Sequence, residues 1–314
     1  MSIKLREQQS LPGPMVSAPA GWREFARMLV VLFKLRIVAL LLLAAVGGAF
    51  LGAQGWPGLG NLLLLLLAGG MAAAGASALN QYLERGSDLM MHRTKQRPLP
   101  TGQIAQPWLV VATGLALIAL PVVTLAPFNA ALAFWLLCGA VIYVGIYTIW
   151  LKPRTLLNIV IGGAAGGAAV MSGGAAAGAW QDPAVITLAL LVFLWTPSHF
   201  WSLAILYKKD YQRADVPMLP ARTSPRDAAW WVFLHTGATS LAALLLVLSP
   251  ALGWIYFLPV AGATVDMVWR NVRLVRDPSP RLARGLFLAS NVYLTVVLLA
   301  ALVSSAVYGV WGWG

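Results

Sequence analysis

Nine stretches of about 20 mostly apolar residues run through this chain, each long enough as a helix to cross a bilayer core about 30 Å thick. Their approximate bounds are 28–53, 59–80, 107–125, 129–150, 156–178, 184–206, 228–249, 252–271 and 286–311. No water-soluble fold accommodates that pattern. Composition agrees: 60% of the residues are apolar and 10% are charged, against about 25% charged in an average soluble domain. The single cysteine, Cys138, excludes a disulfide framework and a four-thiolate metal site.

Charge placement fixes the expected topology. The lysines and arginines fall in five regions: Lys4 to Arg36, Arg85 to Arg97, Lys152 with Arg154, Lys208 to Arg226, and Arg270 to Arg284. The intervening linkers, "AQGWPGLG", "LAPFN", "AWQDP" and "SPALGW", have none. The positive-inside rule puts the N-terminus and all five basic regions in the cytoplasm. Nine crossings then leave the C-terminus in the periplasm, with Trp311 and Trp313 as interface anchors. The net charge of +12 is therefore a topology signal with some attraction for anionic membrane lipid, and no nucleic acid is expected as a partner.

The fold expected is all-α: a polytopic membrane protein with nine transmembrane helices in a single bundle. Residues 1–26 are expected as a disordered cytoplasmic tail and 27–314 as the intramembrane domain. The first 25 residues hold Pro12, Pro14, Pro19 and Glu7 without an apolar core, matching neither a signal nor a transit peptide. The run "IGGAAGGAAVMSGGAAAGA" is weakly apolar for a lipid-facing helix. Small residues let helix backbones approach closely, so it is expected inside the bundle; a flexible Gly/Ala loop is the alternative.

Two cytoplasmic linkers are long, and they hold acids beside bases. In the first, Asn80, Glu84 and Asp88 stand at i, i+4 and i+8. On a helix these span an arc of about 80° and rise about 12 Å along one face. Oxygen-bearing side chains in a row suit a hard divalent cation; Mg²⁺ takes one or two carboxylates and completes its shell with water and phosphates. Arg93, Lys95 and Arg97 follow, and arginine matches phosphate oxygens geometrically. In the second linker Asp210 stands as a further metal position, with Asp215 nearby and Lys208, Lys209 and Arg213 as phosphate contacts. Acids for Mg²⁺ beside arginines for phosphate, at the mouth of a membrane bundle, suggest a diphosphate with an apolar tail. A solvated, salt-bridged linker end is the alternative reading of the same spacing.

The stretch "NQYLERGSDLMMHRTKQRPL" resembles the first signature of the UbiA-type intramembrane prenyltransferases, N-x-x-x-D-x-x-x-D. Its M-x-x-R-T-x-x-R-P-L ending is similar to the branch that farnesylates protohaem IX. "YTIWLKPRTLLNIVIGGAAG", "WTPSHFWSLAI", "DYQRADVPMLP" and the Lys34-Leu-Arg36 entry agree with that branch, so the resemblance runs from about residue 30 to 300. Glu84 departs from the pattern by standing for Asp, and Lys209 stands where a second acid beside Asp210 is expected. Ser198 and the Ala-rich run after Gly166 replace expected prolines.

The resemblance implies an inner-membrane prenyltransferase with its active site facing the cytoplasm. Farnesyl diphosphate is the implied donor, its diphosphate bridged by Mg²⁺ to Asn80, Glu84, Asp88 and Asp210. Arg93, Arg97, Lys152 and Lys34 would neutralise the departing charge, and a vinyl group of haem b would be the acceptor, water completing the product haem O. The enzyme that next modifies the haem is an implied partner. His199, flanked by Trp195, Phe200 and Trp201, is the expected porphyrin contact, with His92 a second candidate; a buried histidine hydrogen-bonded to a neighbouring helix is the alternative. His235 is expected to be structural, and Asp266 to pair with Arg270. Two rival readings remain: prenyl transfer to a quinone ring or chlorophyllide, and, from another class, a membrane transporter.

Overall fold

The computed structural model describes residues 21–311. Residues 1–20 of the expected tail, and Trp313, lie outside the described residues. No strand occurs among the described residues. The helices run α1 (Trp22–Leu32), α2 (Leu35–Gly52), α3 (Leu59–Leu89), α4 (Pro107–Leu125), α5 (Ala130–Ala140), α6 (Asn158–Gly162) and α7 (Ala164–Ala176). They continue as α8 (Pro183–Leu206), α9 (Lys208–Arg213), α10 (Leu219–Arg222), α11 (Pro225–Leu245), α12 (Trp254–Arg276) and α13 (Pro280–Trp311). A π-helix over Val141–Leu151 extends α5.

Eight segments are long and apolar enough to cross a membrane: α2, α3, α4, Ala130–Leu151, Asn158–Ala176, α8, Pro225–Leu248 and Pro280–Gly309. The ninth expected stretch forms α12, which packs against α11 and α13. It carries Asp266, Arg270, Arg273 and Arg276, and so falls short of the apolar character of the other eight. Exposed Leu67, Val123, Leu241 and Val265 give the bundle an apolar outer surface, as a multi-pass membrane protein requires.

Two expectations at the N-terminal end need correction. Residues 22–26 are helix α1, not tail. The stretch expected to cross from residue 28 is broken at Phe33 and Lys34 into α1 and α2. Helix α1 is too short and too charged to cross. Its Met28, Leu29 and Leu32 face inward, while Arg23, Glu24 and Arg27 are exposed with Trp22 and Phe25, the pattern of a helix lying along a membrane interface. Lys34 takes left-handed backbone angles, φ 50° and ψ 44°, at a cost of about 1–2 kcal/mol for a residue with a Cβ.

The Gly/Ala run is helix α7, buried against α2, α5 and α8. A Cβ on Gly173 would strike the Ala45 carbonyl, and one on Gly48 would strike the Val170 carbonyl. The two backbones thus touch, and the run is a packing surface rather than a loop. Helix α3 continues nine residues past the expected crossing at residue 80, to Leu89. That extension puts Glu84 and Asp88 on the same rigid rod as Asn80. The start of α2, the end of α3, the end of the π-helix, and α8 with α9 all converge at this end of the bundle, shown by the side-chain bonds described next.

Candidate active site

The i, i+4, i+8 row of α3 is buried: Asn80 is 1% exposed, Glu84 9% and Asp88 3%. Buried charge is tolerated only when it is paired, and here each acid has a base. Lys152 Nζ, at the end of the π-helix, donates to Glu84 Oε1 at 2.5 Å. Arg97 Nη1 donates to Asp88 Oδ2 at 2.7 Å. Asn80 Nδ2 donates to Glu84 Oε1 at 2.8 Å and to Thr148 Oγ1 at 2.9 Å. Lys34 Nζ donates to Asn80 Oδ1 at 2.5 Å and to the Tyr143 hydroxyl at 3.0 Å. Burial pushes the Lys34 ammonium down to about 7, against the pull of Glu84 and Asp88 and with the push of Arg97 and Lys152.

The second linker closes over the first. Asp210 on α9 is 6% exposed and accepts from Arg213 Nη2 at 2.5 Å. Its other oxygen accepts from the Arg93 N–H at 3.4 Å, and the Arg93 guanidinium lies over the Tyr207 ring. Asn158 Nδ2 donates to the Pro217 carbonyl at 3.2 Å, tying α6 to the same linker. The two acid/base linkers therefore meet, as their matched chemistry suggested.

Asp215 is a correction. The chain turns there through a positive φ of 51°. Its carboxylate is 87% exposed and pairs with Arg222, so it does not join Asp210. Lys209 is exposed, and Lys208 donates to the Thr223 carbonyl. Among the described residues no three His, Cys, Asp or Glu side chains converge as a ready metal cage. The oxygen-only set of Asn80, Glu84, Asp88 and Asp210 nonetheless has the chemistry of a hard-cation site that borrows substrate phosphates; in this state bases hold its carboxylates.

Sequence reasoning missed Tyr143, Tyr147 and Thr148 as a group. The π-helix brings them to the site with its wide i→i+5 turns, the last from the Lys152 N–H to the Tyr147 carbonyl, and the Thr148 side-chain Oγ1 donates to the Tyr143 carbonyl. The two tyrosine rings stack with centroids 5.9 Å apart, and Lys34 and Lys152 lie over them. Local π-winding of this kind gathers at functional sites, but no residue type announces it.

The aromatic cluster around His199 is smaller than expected. The His199 ring is sandwiched between Trp195, at 4.2 Å, and Phe287 of α13, at 4.6 Å. Its Nδ1 meets Ser290 Oγ at 2.8 Å, and Trp195 Nε1 donates to the Ser290 carbonyl. Trp201 is not part of this stack; it faces α11 and meets His235 edge-on. A six-residue step along α8 turns it away from Trp195. His92 is exposed in the loop after α3, and none of the ring contacts of His199 involves it. His235 bonds the Trp231 carbonyl one turn back, a structural role, and Asp266 pairs with Arg270 at 2.7 Å, both as expected.

The sequence and its all-helical fold are matched by known proteins. The model of the UbiA prenyltransferase family matches residues 40–294. Protoheme IX farnesyltransferase 2 of Paramagnetospirillum magneticum is 39% identical over 90% of this chain and 98% of its own. The protoheme IX farnesyltransferase of Alkalilimnicola ehrlichii is 37% identical, over 92% of this chain and 96% of its own. Among solved structures, a digeranylgeranylglyceryl phosphate synthase superposes with a TM-score of 0.75 at 16% identity, covering 90% of this chain and 99% of its own. A UbiA homologue from Archaeoglobus fulgidus bound to DMAPP and Mg²⁺ gives 0.60 at 18% identity, over 88% of this chain and 99% of its own. The match to more than two thirds of the sequence, on a bundle of the same architecture, shows that this chain belongs to the UbiA prenyltransferase family.

Proposed function

We propose that the chain transfers a farnesyl group from farnesyl diphosphate to a vinyl group of haem b, with water completing the product, haem O. The observation that carries this reading is the acid–base pairing of the α3 row and of Asp210 on α9. Three buried carboxylates each sit on a base that a diphosphate with its cation would claim: Glu84 on Lys152, Asp88 on Arg97, Asp210 on Arg213. The relatives named for farnesyl transfer to protoheme, 37–39% identical over about nine tenths of the chain, supply the donor and acceptor of the proposal.

In this reading Asn80, Glu84, Asp88 and Asp210 hold Mg²⁺, whose charge offsets that of the diphosphate. Lys34, Arg93, Arg97, Lys152 and Arg213 turn to the phosphate oxygens. The allylic C1–O bond breaks with its electron pair leaving on the diphosphate. The bases stabilise charge that grows only as that bond breaks, so they act on the transition state. The vinyl π electrons of the porphyrin form the new bond to C1. Water captures the resulting side-chain cation and loses a proton, leaving a hydroxyl. The bundle keeps water from the allylic cation until then. His199, clamped by Trp195, Phe287 and Ser290, meets the porphyrin. The N-terminus and this end of the bundle face the cytoplasm, in a bacterial inner membrane, and nine crossings put the C-terminus outside.

The test is the purified protein in detergent with farnesyl diphosphate, haem b and Mg²⁺. Diphosphate release that requires haem and stops with a chelator supports the reading. Release that needs a quinone or chlorophyllide ring instead would reassign the acceptor, and no release with any acceptor would return the transporter reading.

A further inference from the structure

Lys34 reaches the site only because helix α1 ends two residues before it. No glycine or proline breaks the chain there: the sequence is Val31-Leu32-Phe33-Lys34-Leu35. A left-handed lysine persists only where its surroundings over-determine it. The break leaves the Val31 carbonyl with a single tight bond from the Lys34 N–H and takes the Leu32 carbonyl out of the helical ladder, and a side chain from another helix meets both. Gln81 Nε2 donates to the Val31 carbonyl at 2.5 Å and to the Leu32 carbonyl at 2.9 Å. Gln81 is fully buried on α3. It is the immediate neighbour of Asn80, whose Oδ1 receives Lys34 Nζ. One turn of α3 thus grips both the broken backbone and the amine which that break delivers.

We propose that Gln81 is a positioning residue for the diphosphate site: it fixes the α1–α2 break and so aims Lys34 at the phosphates. Without its two N–H bonds the favoured local structure is α1 running on through Lys34. The lysine would then be carried round the helix, away from Asn80 and Tyr143. This inference rests on the reading that Lys34 meets the diphosphate, and the two can fail separately.

The test is a double-mutant cycle on the full-length protein in detergent, read as Mg²⁺-pyrophosphate binding by calorimetry. Lys34→Met should weaken binding about tenfold or more, the scale of a hydrogen bond to a charged group. Gln81→Met, similar in shape but without a donor, should do the same. The double variant should bind no more weakly than Lys34→Met alone, because Gln81 acts through Lys34. Gln81→Asn, whose amide is one methylene short, should fall between wild type and Gln81→Met, and it serves if Gln81→Met does not insert. An unchanged haem absorption band in each variant shows that the bundle is intact. Wild-type pyrophosphate binding by the Gln81 variants would overturn the proposal. So would losses that simply add in the double variant, since Gln81 would then act on the site by another route. Wild-type binding by Lys34→Met would overturn the reading of Lys34 itself, whatever Gln81 does.

Discussion

Asp88 and Asp210 come from elements separated by more than 100 residues, yet both are buried against an arginine at one end of the bundle. Removing either carboxylate leaves that arginine unpaired and the proposed cation short of an oxygen. Asp88→Ala and Asp210→Ala should each lower turnover by about a hundredfold or more, the scale for loss of one electrostatic stabiliser, with the protein still inserted; farnesyl transfer assayed in membranes checks this. Arginine and histidine should separate. Arg97→Lys keeps the charge but loses the planar fork, so kcat should fall along with apparent affinity for farnesyl diphosphate. His199→Ala should weaken or shift the haem band and leave farnesyl diphosphate binding intact. If His199→Ala loses farnesyl diphosphate instead, the Trp195–Phe287 clamp lines the prenyl chain. Much of this was legible in residue types and spacing, because a row at i, i+4 and i+8 has one geometry on a helix. Asp215 was not, because a single left-handed residue turned its side chain outward. Phe287 and Ser290 carry no motif; only the packing of α13 on α8 brings them to His199.

At the scale of elements, hydropathy located eight helices of membrane-crossing length and missed how they are wound and broken. The α1–α2 break has no sequence signal of its own, since its cause lies 47 residues on from Lys34, in Gln81. The π-helix after α5 is equally silent: its apolar run fits any helix, and the wider winding shows in backbone bonds such as Lys152 N–H to the Tyr147 carbonyl. The glycine-rich run was readable, because a crossing that poor in large side chains has only packing to offer. Gly173→Val should destabilise the protein by at least the 1–3 kcal/mol of about one overpacked site, since the obstacle is the α2 backbone rather than a movable side chain. Gly237→Ala, with nothing within 4 Å of the added carbon, should be neutral or stabilising by up to about 1 kcal/mol. Thermal unfolding in detergent compares the two.

Across the whole molecule, the acids and bases of the two long linkers meet at one end of the bundle and apolar residues cover its sides. This order was readable from the basic linkers, which alternate along the chain with linkers that hold no lysine or arginine. The same alternation predicts an outward C-terminus: a reporter fused after Gly314 should be active only if it works in the periplasm, and cytoplasmic activity would mean that α12 or another helix does not cross. Family membership makes the chain a prenyltransferase, and the paired acids at one end of the bundle are its proposed diphosphate site. The central claim is that the prenyl acceptor is haem b. Its most direct test is the mass of haem extracted from cells that lack their own haem-farnesylating enzyme and express this chain. The account predicts haem heavier than haem b by one farnesyl group and one hydroxyl, absent from cells expressing Asp88→Ala. Unmodified haem b alone, in cells where the wild-type protein is inserted and farnesyl diphosphate is present, would contradict it.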